Sequence, residues 1–308
     1  VRIGLVILPQ LRWSEQAALW QRTESLGFDH VWTYDHLSWY SLAAQPWFAT
    51  VPTLAAASLV TSTIPLGTWV ATPNFRHPVP FAKDVLSLDE LSDGRFVVGL
   101  GAGVARGGDA EVLGPPLDLP SRARRFSEFV DLLDLLLTQP ETTWSGEFYT
   151  ARDARMIPAS VHRPRPPFVV SANGPKAMGV AVRHGQGWAT TGPIVRDDPR
   201  LAPDQPQPAR IEAWWEGVGG LVERLDRVCG AAGRDPSTLD RYLNIDLGPQ
   251  FSLASMDVFT DFLDRARALG FTDVVAHWPR VDSPGMPFVG DPEIIEAVAA
   301  RLPELRGA

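Results

Sequence analysis

The strongest constraint on this chain is an alternation that runs along its length. Short apolar, β-branched runs at residues 3–8, 28–33, 66–71, 96–100, 167–171, 187–191, 242–247 and 273–277 are separated by longer stretches of helical spacing at 14–26, 46–60, 78–91, 121–137, 176–185, 210–231, 255–269 and 292–302. Runs without a polar face are strands buried on both sides, the condition inside a parallel sheet wrapped by helices. Eight such repeats predict an α/β fold, a single parallel (β/α)8 TIM barrel over residues 1–308. A doubly wound open sheet needs fewer strands for this length, and the first run does not lead into a Gly-rich phosphate turn. Ser14 is placed to cap the first helix and Gly27 to end it. Two connections exceed ordinary loops: 103–120, and 192–210 with its Pro-rich centre. They follow the fourth and sixth strands, so extended loops are expected at the active-site mouth. A hairpin is expected around 143–150, where residues alternate about Gly146.

In a barrel, chemistry gathers where strands end. The second run ends in Trp32-Thr33-Tyr34-Asp35-His36-Leu37-Ser38-Trp39-Tyr40, an acid and an imidazole among rings. Such a pair can do acid–base work or can tie down a loop, and these residues alone leave both roles open. The third run passes through Gly67-Thr68-Trp69-Val70-Ala71-Thr72-Pro73, where small residues let a flat ring approach the backbone; the alternative is a strand end before a proline-started helix. The fourth ends in Gly99-Leu100-Gly101-Ala102-Gly103, which removes side chains from the mouth. The fifth ends in Ala172-Asn173-Gly174-Pro175-Lys176, a helix start whose free N–H groups, beside a lysine, suit a phosphate or form an ordinary cap.

Composition removes several classes. Thirty-six acids against 28 bases give a formal charge of −8, which opposes loose binding to nucleic acid or anionic membranes. Cys229 is the only cysteine, so neither an intrachain disulfide nor a cysteine zinc site can form. The start, Val1-Arg2-Ile3-Gly4, has no basic region followed by a cleavable apolar segment, and the expectation is a cytoplasmic protein. His36, His77 and His277 could meet at a metal, but the first strand ends in Leu8-Pro9-Gln10 and lacks paired histidines, so no metal is expected. His30, His162 and His184 read as surface or loop residues, and Arg122-Ala123-Arg124-Arg125 as a solvated helix start or a contact for an anionic tail.

Taken together, these segments resemble the luciferase-like family of flavin and deazaflavin oxidoreductases. The resemblance rests on Gly27-Phe28-Asp29-His30-Val31-Trp32 into Asp35-His36, on Leu66-Gly67-Thr68 into Thr72-Pro73, and on Leu91-Ser92-Asp93-Gly94-Arg95 into Gly99-Leu100-Gly101. Asn173-Gly174-Pro175 and Gly270-Phe271-Thr272-Asp273 into His277-Trp278-Pro279 complete it. The Asp35-His36 pair is similar to the branch that uses coenzyme F420, with FMN as the alternative cofactor. The resemblance implies hydride transfer, or with FMN a monooxygenase, or a flavin-binding protein without turnover. It implies His36 as proton or hydrogen-bond donor at the reactive carbon and Asp35 fixing its tautomer or the loop. Trp69, Val70, Ala71 and Thr72 would support the ring through a cis peptide between Trp69 and Val70, with Gly101, Ala102 and Gly103 giving it room. Ala172, Asn173, Gly174, Pro175 and Lys176 would hold phosphate. Sugar-phosphate dehydrogenases of this branch carry a glutamate where this chain has Val104. With Trp39, Tyr40 and Trp278, that implies a small apolar or conjugated substrate. A homodimer through the second and third helices is also implied.

Overall fold

Residues 1–37, 39, 42–105, 108–194, 197–281 and 287–307 are described by the computed structural model. In chain order the strands are β1 (Arg2–Val6), β2 (His30–Thr33), β3 (Leu66–Thr68), β4 (Phe96–Gly101), β5 (Thr142–Ser145), β6 (Thr150–Ala154), β7 (Phe168–Ser171), β8 (Gly187–Thr190), β9 (Asp240–Asn244) and β10 (Asp273–His277). Strands β1, β2, β3, β4, β7, β8, β9 and β10 close, in that order, into an all-parallel barrel. The β5–β6 pair is the expected antiparallel hairpin. β3 stops at Thr68; the peptide between Trp69 and Val70 is cis, as expected, and Ala71 rejoins the sheet as a lone bridge to Leu100. β9 also stops early, because residues 245–247 coil into a 3-10 turn held by the Asn244 side chain, which accepts from the Asp246 N–H.

The helices are α1 (Trp13–Ser25), α2 (Thr50–Val60), α3 (Pro78–Leu91), α4 (Asp109–Val112), α5 (Leu119–Thr138), α6 (Pro175–His184), α7 (Gln207–Ala231), α8 (Met256–Ala268), α9 (Ile294–Ala300) and α10 (Leu302–Leu305). Gly27 ends α1 at φ 82°, as its position required. Ser14 does not cap it; Arg12 stands at the cap without a side-chain bond. The expected last helix is two, because Pro303 lacks an N–H and its ring crowds the carbonyl four residues back. The long connection after β4 contains α4, and the one after β8 a 3-10 turn at Pro199–Leu201. Among the described residues no helix is long and apolar enough to cross a membrane.

Two apolar layers hold these elements. One lies between strands and helices; the other fills the barrel with Val6, Trp32, Trp69, Val169, Ala189, Tyr242 and Val275. Rings dominate the inner layer, so small residues must face them. A Cβ on Gly4 would sit 1.8 Å from His30 Nδ1, and one on Gly67 2.6 Å from the Trp32 ring. His30 is therefore not the surface residue expected: it is buried inside the barrel, bonded to Asp273 at 3.1 Å and accepting from Trp32 Nε1 at 2.7 Å. The Leu91–Arg95 block is structural. Asp93 and Gly94 both take positive φ after α3, which lets the Arg95 guanidinium reach back to the carbonyls of Ser58, Thr61 and Ile64 that α2 and its turn leave open.

His184, also expected at the surface, lies on α6 against Asp131 and Asp134 of α5, 2.7 Å from Asp131. Both carboxylates raise its pKa to about 9, against the cost of burial. A folded-state pKa above the unfolded value gives stability that is full below pH ~6.5 and lost as pH rises through about 9. His184→Gln should lose roughly 2 kcal/mol at pH 6.5 and almost nothing more than wild type above pH 9. Urea unfolding at the two pH values checks this; an equal loss at both would assign the effect to packing.

Candidate active site

β2, β3, β4 and β7 are consecutive barrel neighbours, so the segments leaving their carboxyl ends share one end of the barrel. Asp35, His36, Trp39, residues 69–76, 101–105 and 172–174 all lie there. Tyr40 falls outside the described residues.

The acid and the imidazole do not pair with each other. Asp35, 1% exposed, receives two bonds from Arg76 at 2.5 and 2.7 Å. The Arg76 guanidinium also lies 4.8 Å from the Phe81 ring centroid. Burial works against its charge, but the Asp35 bonds prevail and raise its pKa above the ordinary value. Asp35 thus ties the loop after β2 to the loop after β3, and the tautomer role falls to a residue the sequence did not reveal. Asp109, at the start of α4, takes His36 Nδ1 at 2.5 Å through Oδ2 and the Leu37 N–H at 2.7 Å through Oδ1. A carboxylate acceptor places a proton on Nδ1, so a neutral ring here carries its lone pair on Nε2. Trp39 packs on His36 at 4.6 Å between ring centroids, and the His36 carbonyl accepts from Trp47 Nε1 at 2.8 Å.

The bulge after β3 brings Ala71 and Thr72, both buried, against β4. Gly101 and Gly103 act here differently from expectation. A Cβ on Gly101 would meet Val70 at 2.5 Å, and one on Gly103 would meet Thr72 Oγ1 at 2.1 Å. These glycines admit the bulge itself, rather than opening the mouth directly. Ala102 and Val104 are half-buried, and the Val104 carbonyl accepts from Asn74 Nδ2 at 3.2 Å. Arg125 donates to Asn74 Oδ1 at 2.6 Å, and Arg122 donates to the Gly103 carbonyl. Within the expected solvated arginine cluster, only Arg124 behaves so, in a surface pair with Glu147.

After β7, Ala172 is buried, and its carbonyl accepts from Trp188 Nε1 at 2.7 Å. Asn173 is braced by Thr190 Oγ1 at 2.7 Å and by its own bond to the Gly192 carbonyl at 2.8 Å. Gly174, Pro175 and Lys176 are exposed at the start of α6, and a Cβ on Gly174 would meet nothing within 4 Å. The N–H groups of the first turn have no intrahelical acceptors, and Arg224 lies alongside, donating to the Asn173 carbonyl at 2.8 Å.

Across β1, the end of β10 contributes a buried chain. His277 Nδ1 lies 3.1 Å from Asp246 Oδ2 and His277 Nε2 2.8 Å from the Tyr34 hydroxyl. Burial holds the His277 pKa below its ordinary value despite Asp246, and raises that of Tyr34. Whereas Trp39 packs on the barrel interior, Trp278 packs on the layer between strands and helices. It lines a cavity of about 690 Å³ with Leu8, Leu11, Leu19, Pro46 and Pro292, between α1 and the chain entering α9.

The model of the luciferase-like monooxygenase family matches residues 2–201. Over 232 residues, 73% of the chain, the sequence is 36% identical to an F420-dependent glucose-6-phosphate dehydrogenase of Intrasporangium calvum. Over 244 residues, 78% of the chain, it is 29% identical to an F420-dependent hydroxymycolic acid dehydrogenase of Mycobacterium tuberculosis. The matches span 63% and 60% of those relatives' own lengths. An F420-dependent secondary alcohol dehydrogenase, solved with an F420–acetone adduct, superposes with a TM-score of 0.77 at 17% identity, over 99% of both chains. A barrel with the Trp69–Val70 bulge, matched over residues 2–201, leaves one conclusion: the chain belongs to the luciferase-like monooxygenase family.

Proposed function

We propose that this chain is an oxidoreductase that uses coenzyme F420 and moves hydride between the deazaflavin and a small apolar or conjugated alcohol or carbonyl compound. The observation that carries the reading is His36, locked by Asp109 in one tautomer, with Nε2 unengaged at the mouth among the described residues. The dehydrogenase relatives named for F420 support the choice of cofactor.

The residues fit the group. Over the buried Ala71 and Thr72 of the bulge, the partly exposed residues are the short Val70 and Ala102, which suit a flat ring. The open first turn of α6, with Lys176 and Arg224, suits a phosphate. When bound, F420 supplies a two-electron hydride acceptor or donor. The protein supplies the proton. In the oxidation direction His36 Nε2 takes the substrate hydroxyl proton, and the imidazolium so formed is stabilised by Asp109; in reduction it returns that proton to the carbonyl oxygen. Trp39 shields the imidazole from water on one side.

Titrating F420 and FMN side by side tests the reading. Tight F420 binding followed by hydride transfer to an enone or from a secondary alcohol is expected. Preference for FMN would favour a monooxygenase, binding without turnover a flavin-binding protein, and tight binding of neither would end the proposal. Lys176→Glu should weaken F420 several-fold, more at low salt than at high, because an exposed charge acts through screened attraction.

For substrate, among the described residues the arginines Arg76, Arg122 and Arg125 near the mouth each hold a protein partner, Asp35, the Gly103 carbonyl and Asn74. A sugar phosphate needs buried cationic partners. Efficient oxidation of glucose 6-phosphate by the purified protein would overturn the apolar assignment. The reading also has a cytoplasmic homodimer meeting through α2 and α3, whose Leu59 and Leu91 are 71% and 43% exposed. Sedimentation as a monomer at micromolar concentration would refute that part.

A further inference from the structure

The hydrogen-bonded chain Asp246–His277–Tyr34 has no part in the chemistry just described, yet it ends against His36. We propose that Asp246, His277 and Tyr34 are positioning residues that fix the His36 imidazole through the ring of Tyr34. This rests on the reading of His36 as the proton carrier.

Each link has a direction. Asp246 Oδ1 accepts from the Ser252 N–H at 2.8 Å, and Oδ2 accepts from the His277 backbone N–H at 2.5 Å and faces His277 Nδ1 at 3.1 Å. A carboxylate can only accept, so Nδ1 carries the proton and Nε2 offers its lone pair. The Tyr34 hydroxyl must then donate to Nε2, across 2.8 Å. All three side chains are buried: Tyr34 is 3% exposed, Asp246 6% and His277 0%. Phe288 stacks on His277 at 3.6 Å with the planes 6° apart, which blocks rotation of the imidazole.

A tyrosine whose hydroxyl is committed in this way cannot swing to another χ1 rotamer without breaking the bond. Its ring packs edge-to-face with those of His36 and Trp39, 5.8 and 5.1 Å between centroids at interplanar angles of 73° and 68°. Asp109 fixes one edge of the His36 ring and Trp39 covers a face, and Tyr34 supplies a third contact. The same bond keeps the hydroxyl inside the fold, so Tyr34 acts on the site through its ring alone.

The test begins without cofactor. Long-range proton–nitrogen NMR of the six histidines should show His277 neutral with its proton on Nδ1; a proton on Nε2 would overturn the chain. Tyr34→Phe should move and broaden the His36 ring signals while those of His162 stay fixed, and unchanged His36 signals would overturn the proposal. His277→Gln keeps an acceptor for Tyr34 and a donor for Asp246 and should leave the His36 signals near wild type, whereas His277→Leu should reproduce Tyr34→Phe. If Tyr34→Phe does not fold, this Gln-against-Leu contrast decides.

Turnover gives the second readout, with reduced F420 and cyclohex-2-enone as the probe. Tyr34→Phe should lower kcat roughly 10- to 100-fold with KM and F420 affinity within about threefold, the pattern of a misplaced group. Placed on His36→Ala, it should cost nothing further, because it acts through His36. An equal loss in both backgrounds would overturn the proposal. A wild-type protein that binds no F420 would defeat the functional reading while leaving the NMR arms to decide this one.

Discussion

His36→Ala should lower turnover by ~10²–10⁴-fold, the range of a positioned acid or base, while F420 affinity stays within a few fold. The size follows from what is removed: an imidazole with one nitrogen clamped at 2.5 Å by Asp109 and the other left without a protein partner among the described residues. Asp109→Asn gives a sharper version. The new side-chain carbonyl would still accept from the Leu37 N–H, so the amide nitrogen would face His36 Nδ1 as a donor and force the proton onto Nε2. The base would then be a donor, and a loss of similar order is expected with geometry kept. Steady-state kinetics with a parallel F420 titration separate the outcomes. Lost cofactor binding with normal turnover per bound cofactor would make His36 a contact for the ring. No change in either would withdraw the assignment.

Asp35→Ala is expected to act on stability instead. The carboxylate is 1% exposed and holds both bonds from Arg76, whose other acid, Asp84, lies 3.6 Å away and is partly solvated. Removing one partner of a buried pair leaves an uncompensated charge, a cost of about 3–5 kcal/mol, with the lower figure expected here because Asp84 remains. Denaturant midpoints measure the loss. Asp35→Ala with native stability and abolished turnover would return Asp35 to the catalytic group.

The contrast between these neighbours shows what the sequence could and could not convey. The barrel was legible because strand and helix signals are local: apolar runs, helical spacing, Gly27 after a helix and proline before one. The gathering of the candidate segments at one end was legible for a related reason, since parallel strands bring their carboxyl ends together whatever the loops do. Pairings inside the site were not. His36 meets Asp109 across 73 positions and Asp35 meets Arg76 across 41. Adjacency in sequence suggested Asp35–His36, but two residues leaving a strand in succession point to different sides. Asp109 left only a faint trace, an acid after Gly107-Gly108 in a loop too long to be a plain connection. Trp278 was misplaced similarly: an aromatic at a strand end can turn outward to the helix layer, and this one does.

The origin of Asp109 bears on how such a protein can change. On the proposed reading, the connection between β4 and α5 is part of the wall a substrate meets, and its Asp109 is the carboxylate that holds His36 Nδ1. Exchanging that loop for a relative's would alter the wall and unseat the base in one step, unless the incoming loop brought an acid to the same place. Substrate range and catalytic competence would, on that reading, be inherited together. A library that diversifies residues 104–117 while holding Asp109 constant should search new substrates among active variants, and one that lets Asp109 vary should spend most of its members on barrels that bind but do not turn over.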